Sequence, residues 1–183
     1  GNNKGLISAL ERLLEIATDD ARARFELAEA LERSEKWEGA IMHYEALLPK
    51  AGEEASAPIL KRLGYCYLKA GSIQKAIEAF LGSLRWDQMD QNVYYNLSYL
   101  FEKAGDKERA AFYLRNAVTL NPDDTEGRLR LSERFLDASE WDRAERLIQE
   151  VLEKNPGSKE ALLMLARIMD GKKDREGLIN VYK

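Results

Sequence analysis

Residues 63–80 read LGYCYLKAGSIQKAIEAF, and this stretch decides the fold because its spacing recurs along the chain. Its alanine Ala76 returns as Ala110 and Ala144 at intervals of 34 residues, and Ala40 stands 36 residues before it. A fixed period of this length marks a repeat architecture. Each unit is one supersecondary block that cannot bury its apolar face alone, so neighbouring units stack into a shared core. The sequence therefore predicts an array of stacked repeats.

Each repeat carries apolar residues at three- and four-residue spacings, which is the pattern of two amphipathic helices. In the quoted stretch, Leu63, Gly64 and Tyr67 form the packing stripe of the first helix. Ala76 and Phe80 belong to the stripe of the second helix. The equivalents of Gly64 in the other repeats are Ala28, Ser98 and Ser132. Small residues are expected there because the helices cross closely, and a larger side chain would cost about 1–3 kcal/mol in overpacking.

The repeat boundaries follow from the same period. Complete repeats are expected at 21–54, 57–88, 91–124 and 125–158, with a half-repeat at 6–20 and a partial repeat at 159–183. Residues 1–5 (GNNKG) lack an initiator Met and are interpreted as a tag scar with a disordered start, so the natural protein is expected to continue past at least one end. The joint from Pro49 to Pro58 is two residues longer than the others, and Pro58 is expected to open the next helix.

Short polar turns join the two helices of each repeat. They read Ala70-Gly71-Ser72, Ala104-Gly105-Asp106 and Ala138-Ser139-Glu140. Glycine is expected to supply the left-handed exit from the first helix, and Ser or Asp is expected to cap the second. The pairs Asp19-Asp20 and Asp123-Asp124 precede first helices, so capping explains them without a metal ion.

Composition narrows the functional class. The net charge is -4 and no block of basic residues is present, which argues against nucleic acid as the main partner. No apolar run approaches the ~18 residues of a membrane span, so no membrane insertion is expected within this chain. Cys66 is the only cysteine, which excludes an internal disulfide. That fits the cytoplasm, which is favoured, but also a periplasmic protein whose native N-terminus is missing, so the compartment stays open.

These residues resemble the tetratricopeptide repeat, whose motif is W-x2-L-G-x2-Y, then A-x3-F, then P, on a 34-residue period. Leu63-Gly64-x2-Tyr67 with Ala76-x3-Phe80 is the best match, and the resemblance covers about residues 6–182. Arg24 and Arg128 stand where the motif has tryptophan, and Gln88 replaces its proline. The resemblance implies an all-α fold, a right-handed superhelix (solenoid) of antiparallel helix pairs with about eleven helices. It also implies a protein-interaction scaffold with a concave groove lined by first helices.

The face of the first helices that does not pack should line this groove. It carries Phe25, Glu29, Lys61, Tyr65, Asn92, Tyr95, Asn96, Tyr99, Arg130, Glu133 and Arg167, of which the eight from Lys61 to Glu133 are the candidate peptide-binding residues. Tyrosine suits peptide recognition because it gives a large contact area and a hydroxyl at low entropic cost. In the alternative interpretation, the tyrosines fill space between neighbouring first helices.

A carboxylate clamp, as in co-chaperone members of the family, is a narrower hypothesis. Lys61, Asn96 and Arg130 fall at matching places in three successive repeats. However, Tyr65 replaces an Asn of the clamp, and Glu126 replaces a Lys. An acid within an anion site opposes the ligand, which weakens the hypothesis.

No set of residues indicates an enzyme, a metal site or a cofactor. His43 has no Cys or His near it in sequence, and a single histidine offers no convincing catalytic partners. Cys66 lies on the packing face and is expected to be buried and inert. The favoured function is a non-catalytic scaffold that binds a peptide or helical segment in the groove. The alternative is a structural or self-association arm of a larger multidomain protein, with the exposed Leu178 and Ile179 at an open end.

Overall fold

The computed structural model describes residues 2–181, apart from the side chains of residues 2, 53 and 54. Within that range the chain forms eleven α-helices and no strand. The helices are α1 (Asn2–Ile16), α2 (Ala21–Arg33), α3 (Trp37–Leu47), α4 (Glu53–Lys69), α5 (Ile73–Leu84), α6 (Gln91–Lys103), α7 (Lys107–Leu120), α8 (Thr125–Asp137), α9 (Trp141–Lys154), α10 (Lys159–Lys172) and α11 (Arg175–Val181). A short 3-10 turn, Leu48–Lys50, separates α3 from α4. The predicted all-α class and the number of helices are confirmed.

The chain divides into two compact units, and the division falls between Ala110 and Ala111, within α7. In the first unit, the first helices of the repeats are α2, α4 and α6, and the second helices are α1, α3 and α5. In the second unit, α8 and α10 are first helices, and α9 and α11 are second helices. Trp37 and Trp141 begin second helices, as their equivalent places in the repeat predict. The single solenoid over 6–183 stays a prediction.

Two predicted boundaries are wrong. Residues 2–5, expected to be disordered, form the first turn of α1; Gly1 lies outside the described residues. Pro58 does not open α4 but lies inside it, since the helix begins at Glu53. Residues 53–57 are mostly good helix formers, so they extend the helix on the N-terminal side of the proline. Pro58 is exposed, and it removes only the one helical hydrogen bond that its own N–H would donate.

A left-handed residue ends the first helix of every repeat. The φ angles are +75° at Gly71 and +82° at Gly105, as the turn chemistry predicts. The equivalent residues Glu35, Ser139 and Lys173 adopt φ of 57°, 57° and 59° although they are not glycine. A left-handed L-residue costs roughly 1–2 kcal/mol, so three of the five turns carry strain.

Side-chain caps close the N-termini of four first helices, α2, α6, α8 and α10, whereas α4 begins after Gly52 without one. Asp20 Oδ1 accepts from the Ala23 N–H at 2.9 Å, and Asp124 Oδ1 accepts from the Gly127 N–H at 2.8 Å, so both predicted caps are confirmed. Asp106 caps α7 by accepting from the Arg109 N–H at 2.9 Å. Ser72 makes no side-chain cap bond, contrary to the prediction for α5.

The core follows the small residues of the period. Ala28, Ala40, Ala76 and Ala144 are completely buried. Gly64 lies under the ring of Phe80, so close that a Cβ on the glycine would be 2.7 Å from Cδ1 of the ring. Cys66 is also completely buried, and burial raises the pKa of its thiol to about 12. The thiol is therefore protonated at neutral pH, as an inert core residue requires.

Arginine fills the motif's tryptophan position in the second unit. Arg128 is 9% exposed, and its Nε donates to Glu150 Oε2 at 2.8 Å. Its aliphatic stem therefore takes part in packing while its charge is balanced by a carboxylate. In the first unit, Arg62 joins neighbouring first helices by pairing with Glu29 at 2.7 Å and Glu32 at 3.1 Å.

Candidate protein-interaction faces

Two tyrosine–lysine pairs stand on the first helices of the first unit. Tyr65 on α4 and Tyr99 on α6 occupy equivalent repeat positions and are 36% and 49% exposed. One turn further along each helix, Lys69 Nζ lies 5.3 Å from the Tyr65 ring centroid and Lys103 Nζ lies 5.5 Å from the Tyr99 centroid. These distances are within the range of cation–π contacts, which hold each lysine over its ring. The result is a repeated feature that is aromatic and positively charged.

Tyr65 is further fixed by the preceding repeat. The ring of Trp37 meets it edge to face, with centroids 5.9 Å apart and an interplanar angle of 79°. An aromatic ring held between an indole and a lysine loses little rotamer freedom when a ligand contacts it, which favours recognition. This contact also gives Tyr65 part of the packing role that the alternative interpretation expects.

The remaining candidates on α6 differ in exposure. Asn92 is exposed, and its backbone N–H donates to Asp90 Oδ1 at 3.0 Å. Tyr95 and Asn96 are half-buried. All three lie on the same helix as Tyr99, so the first unit presents one set of residues on α6 and another, Lys61 and Tyr65, on α4.

Lys61 has an intramolecular partner. Its Nζ forms a hydrogen bond and ion pair with Oδ2 of Asp90, the residue that caps α6, while the Lys61 side chain remains 49% exposed. The carboxylate is only 9% exposed, so this pair joins two successive first helices near their N-termini. The charge that the clamp hypothesis assigns to Lys61 is thus already balanced within the protein.

The last two candidates lie in the second unit, on α8. Arg130 is 63% exposed and pairs with Glu126 one turn away on the same helix. Glu126 is the acid that already departed from the clamp pattern, and here it balances Arg130. Glu133 is 55% exposed and faces Arg167 of α10, with Oε1 and Nη1 3.9 Å apart. At that distance, and with both groups in solvent, the pair is loose.

A cavity of about 640 Å³ opens beside the Glu133–Arg167 pair. Apart from these two residues, its lining was not predicted from the sequence. Its lining residues are Glu133, Glu160, Leu163, Met164, Ala166, Arg167, Asp170 and Leu178. The signal that could have found it is Leu163, which stands 34 residues after Leu129 and is 63% exposed where Leu129 is 7% exposed. A large apolar side chain at a repeat position is thus buried in one repeat and open in the next.

His43 plays no part in these faces. It lies on α3, half-buried, and burial lowers its pKa, with a smaller contribution from the positive charge of Arg24. Its Nδ1 is buried and has no hydrogen-bond partner among the described residues. Nowhere among the described residues are three His, Cys, Asp or Glu side chains grouped so that they could hold a metal ion.

Two family models match the sequence, and both describe the tetratricopeptide repeat. One matches residues 7–58 and 62–125, and the other matches residues 102–168. The chain belongs to the tetratricopeptide repeat family. Proteins of this family are in general interaction scaffolds without catalytic activity. A comparison with curated protein sequences gives no match.

None of the helices within residues 2–181 combines the length and apolar character needed to cross a bilayer.

Solved structures of other tetratricopeptide repeat proteins are similar to this chain. One is the C-terminal part of a repeat protein from Cytophaga hutchinsonii, with a TM-score of 0.77, 18% identity, and coverage of 98% of this chain and 74% of that one. Another is YrrB, described as having an unusual peptide-binding site, with a TM-score of 0.67, 22% identity, and coverage of 95% and 97%. A third is MamA, with a TM-score of 0.70, 20% identity, and coverage of 88% and 87%. At these identities the likeness supports the fold alone.

Proposed function

We propose that this tetratricopeptide repeat protein is a non-catalytic scaffold that binds a peptide or a helical segment on the exposed face of its first helices. The observation that carries the proposal is the repeated pair of Tyr65 with Lys69 and Tyr99 with Lys103. At the same repeat position the second unit has Glu133 and Arg167, so packing does not demand an aromatic residue there. Tyrosines that remain partly exposed are among the residues that interfaces favour.

All eight candidate residues remain proposed contacts: six lie in the first unit, with the tyrosines as the main contacts, and Arg130 and Glu133 belong to the second unit. Lys61 and Arg130 are less available for an acidic ligand than their charges suggest, because Asp90 and Glu126 balance them. Peptide binding is also what YrrB, a structure similar to this chain, is described as doing. The proposal therefore rests on aromatic contact and not on a carboxylate clamp.

A displayed random-peptide library selected on the immobilised protein would test this function. Binding of the selected peptides, measured by isothermal titration calorimetry, should fall at least about tenfold in the double variant Tyr65→Ala, Tyr99→Ala, since interface tyrosines carry much of the binding energy. Phe112→Ala is the matched control, because Phe112 is as exposed as Tyr99, at 49%, but lies on α7, the second helix of the repeat predicted at 91–124. Equal affinity in the tyrosine variant, or an equal loss in the control, would refute the proposed face.

A second candidate function is self-association. Leu6, Leu13 and Ile16 of α1 are 39%, 43% and 89% exposed, and Ile179 of α11 is 56% exposed, so apolar side chains lie open on both helices. Sedimentation equilibrium over a wide concentration range would test it. A monomer at every concentration would exclude this function.

A further inference from the structure

We infer that the first unit binds a proline-rich segment in the polyproline II conformation that carries an acidic residue at every third position. The inference rests on the proposed function, because it names the chemistry of the segment held on the exposed face of α2, α4 and α6. Three features of that face carry it: a row of cations, the spacing of the helices, and the aromatic rings beside the cations.

A row of three exposed cations runs across the first helices of the first unit. Lys69 and Lys103 stand 34 residues apart, and Arg33 of α2 stands at the same repeat position, 36 residues before Lys69. None of the three forms an ion pair with a carboxylate of the described residues. In the second unit the same position has Asp137 and Gly171, so the repeat does not require a cation there. The row therefore attracts an acidic ligand and repels a basic one.

Ion pairs place the three first helices side by side. Arg62 of α4 reaches Glu29 of α2 at 2.7 Å, and Lys61 of α4 pairs with Asp90, which caps α6. Helices in contact lie about 8–10 Å apart. A polyproline II chain has three residues per turn and rises about 3.1 Å per residue, so every third side chain lies on one side, about 9.3 Å from the next. An acidic residue at every third position therefore offers one carboxylate to each helix of the row.

Aromatic rings beside the cations favour proline at the intervening positions. Tyr65 and Tyr99, each one turn before a lysine of the row, are exposed, and Trp37 meets Tyr65 edge to face with centroids 5.9 Å apart. Grooves lined by aromatic residues bind polyproline II segments, because such a segment is already in its bound conformation and loses little entropy. The segment that fits this face has two prolines between successive acids.

The experiment uses a fluorescein-labelled synthetic peptide of three Glu-Pro-Pro units, amidated so that it has no terminal carboxylate. Three matched peptides are titrated alongside: one has glutamine in place of glutamate, one has the same residues with the three glutamates adjacent, and one has glycine in place of proline. Fluorescence anisotropy should show the Glu-Pro-Pro peptide binding at least about fivefold tighter than each of the others. Its advantage over the glutamine peptide should shrink as salt is raised.

Variants of the protein locate the site. Lys69→Gln together with Lys103→Gln should weaken the Glu-Pro-Pro peptide about tenfold and leave the glutamine peptide unchanged, because two exposed ion pairs are lost. The matched control is Lys75→Gln together with Lys107→Gln, which removes two exposed lysines of second helices and should change the affinity by less than about twofold. Lys75 also lies over a tyrosine, 5.4 Å from the ring centroid of Tyr67, so the control includes the same kind of contact. Circular dichroism should show unchanged helicity in both double variants.

The results that overturn the inference differ from those that overturn the proposed function. Equal binding of the peptide with adjacent glutamates or of the glycine peptide overturns the inference, and so do equal losses in the two double variants. If library-selected peptides lose affinity in Tyr65→Ala, Tyr99→Ala while the Glu-Pro-Pro peptide binds no tighter than its controls, the function stands and the inference is wrong. If no peptide, selected or synthetic, loses affinity in that tyrosine variant, the function itself is wrong.

Discussion

Substitution of Gly64 by alanine tests the view that the repeat is built around one close helix crossing. A Cβ at this position would lie 2.7–2.8 Å from three ring atoms of Phe80, closer than carbon atoms pack. Phe80 is 1% exposed, so its ring is enclosed by the core, and protein cores are close-packed. We expect the clash to be relieved only by moving α5 away from α4.

The expected change in the free energy of unfolding is the difference between two opposing effects. Overpacking of this kind costs about 1–3 kcal/mol. Replacing a glycine inside a helix with alanine contributes roughly 0.5–1 kcal/mol in the other direction. Gly5→Ala isolates the second effect, because Gly5 is an exposed residue of α1 and a Cβ there would meet nothing within 4 Å. The two substitutions should therefore differ in their effect on the free energy of unfolding by about 1–3 kcal/mol.

A compensating substitution makes the test specific. The third and fourth repeats carry Ser98 with Leu114 and Ser132 with Ile148 at the positions of Gly64 and Phe80, so in these two repeats a smaller second residue accompanies a side chain at the crossing, whereas the first repeat has Ala28 with Tyr44. Phe80→Leu alone should cost about 1–2 kcal/mol, between the values for Ile→Val and Phe→Ala. In the double variant the alanine would occupy part of the vacated space. The double variant should lose less stability than the sum of the single variants, with a coupling of about 0.5–3 kcal/mol.

The assay is urea unfolding followed by circular dichroism at a helical wavelength. The dependence of the free energy on urea must be equal in all variants, because repeat arrays can depart from two-state unfolding. If Gly64→Ala stabilises the protein as much as Gly5→Ala does, or if Gly64→Ala and Phe80→Leu add without coupling, the close crossing does not constrain the repeat.

Three further predictions use the same unfolding measurement. Ser98→Ala should lower the free energy of unfolding by about 1 kcal/mol, because the Ser98 hydroxyl donates to the Ala110 carbonyl at 2.9 Å. Ser132→Ala should leave it unchanged, because the buried Ser132 hydroxyl has no partner among the described residues. Equal losses in the two variants would contradict this prediction. Ser139→Gly should stabilise the protein by roughly 1 kcal/mol, since it relieves a left-handed φ of 57°, and a loss of stability would show that the turn is not strained. The pKa of His43 is lowered by burial, so the unfolded chain binds its proton more readily, and stability should be complete above pH 6.5 and decline as the pH falls below it. His43→Gln should remove that component between pH 7.5 and 5.5, and an unchanged pH dependence would show that the imidazole is not the cause.

The sequence predicts the features that depend on local chemistry or on the repeat period. The caps at Asp20 and Asp124 and the left-handed turns at Gly71 and Gly105 follow from residue type and spacing, and the structure agrees. The predicted position of Pro58 at the start of α4 is wrong because the rule for a first-turn proline ignores the helix formers before it.

The partners of charged residues could not be predicted, because they depend on which repeats face each other. Lys61 pairs with Asp90, 29 residues away, and Lys50 with Asp19, 31 residues away. The hydrogen bond from Lys50 lowers the pKa of the Asp19 carboxyl. The periodicity of apolar residues does not reveal these pairings, and the Lys61–Asp90 pair limits how far Lys61 of the candidate site is free to bind a ligand.

Positions that pack and positions that could bind are separable within each repeat. At the crossing, residues 28, 64, 98 and 132 are Ala, Gly, Ser and Ser, all small, because two helices meet there. One residue further along each helix, residues 29, 65, 99 and 133 are Glu, Tyr, Tyr and Glu, which share neither size nor charge. Close packing would restrict these positions to similar residues, so their variety supports the proposal that the second set contacts a partner. It follows that Tyr99→Ala should leave the free energy of unfolding within about 0.5 kcal/mol, as is usual for exposed positions. A loss comparable to that of a core substitution would mean that the tyrosines fill space between helices, and the proposed face would have to be abandoned.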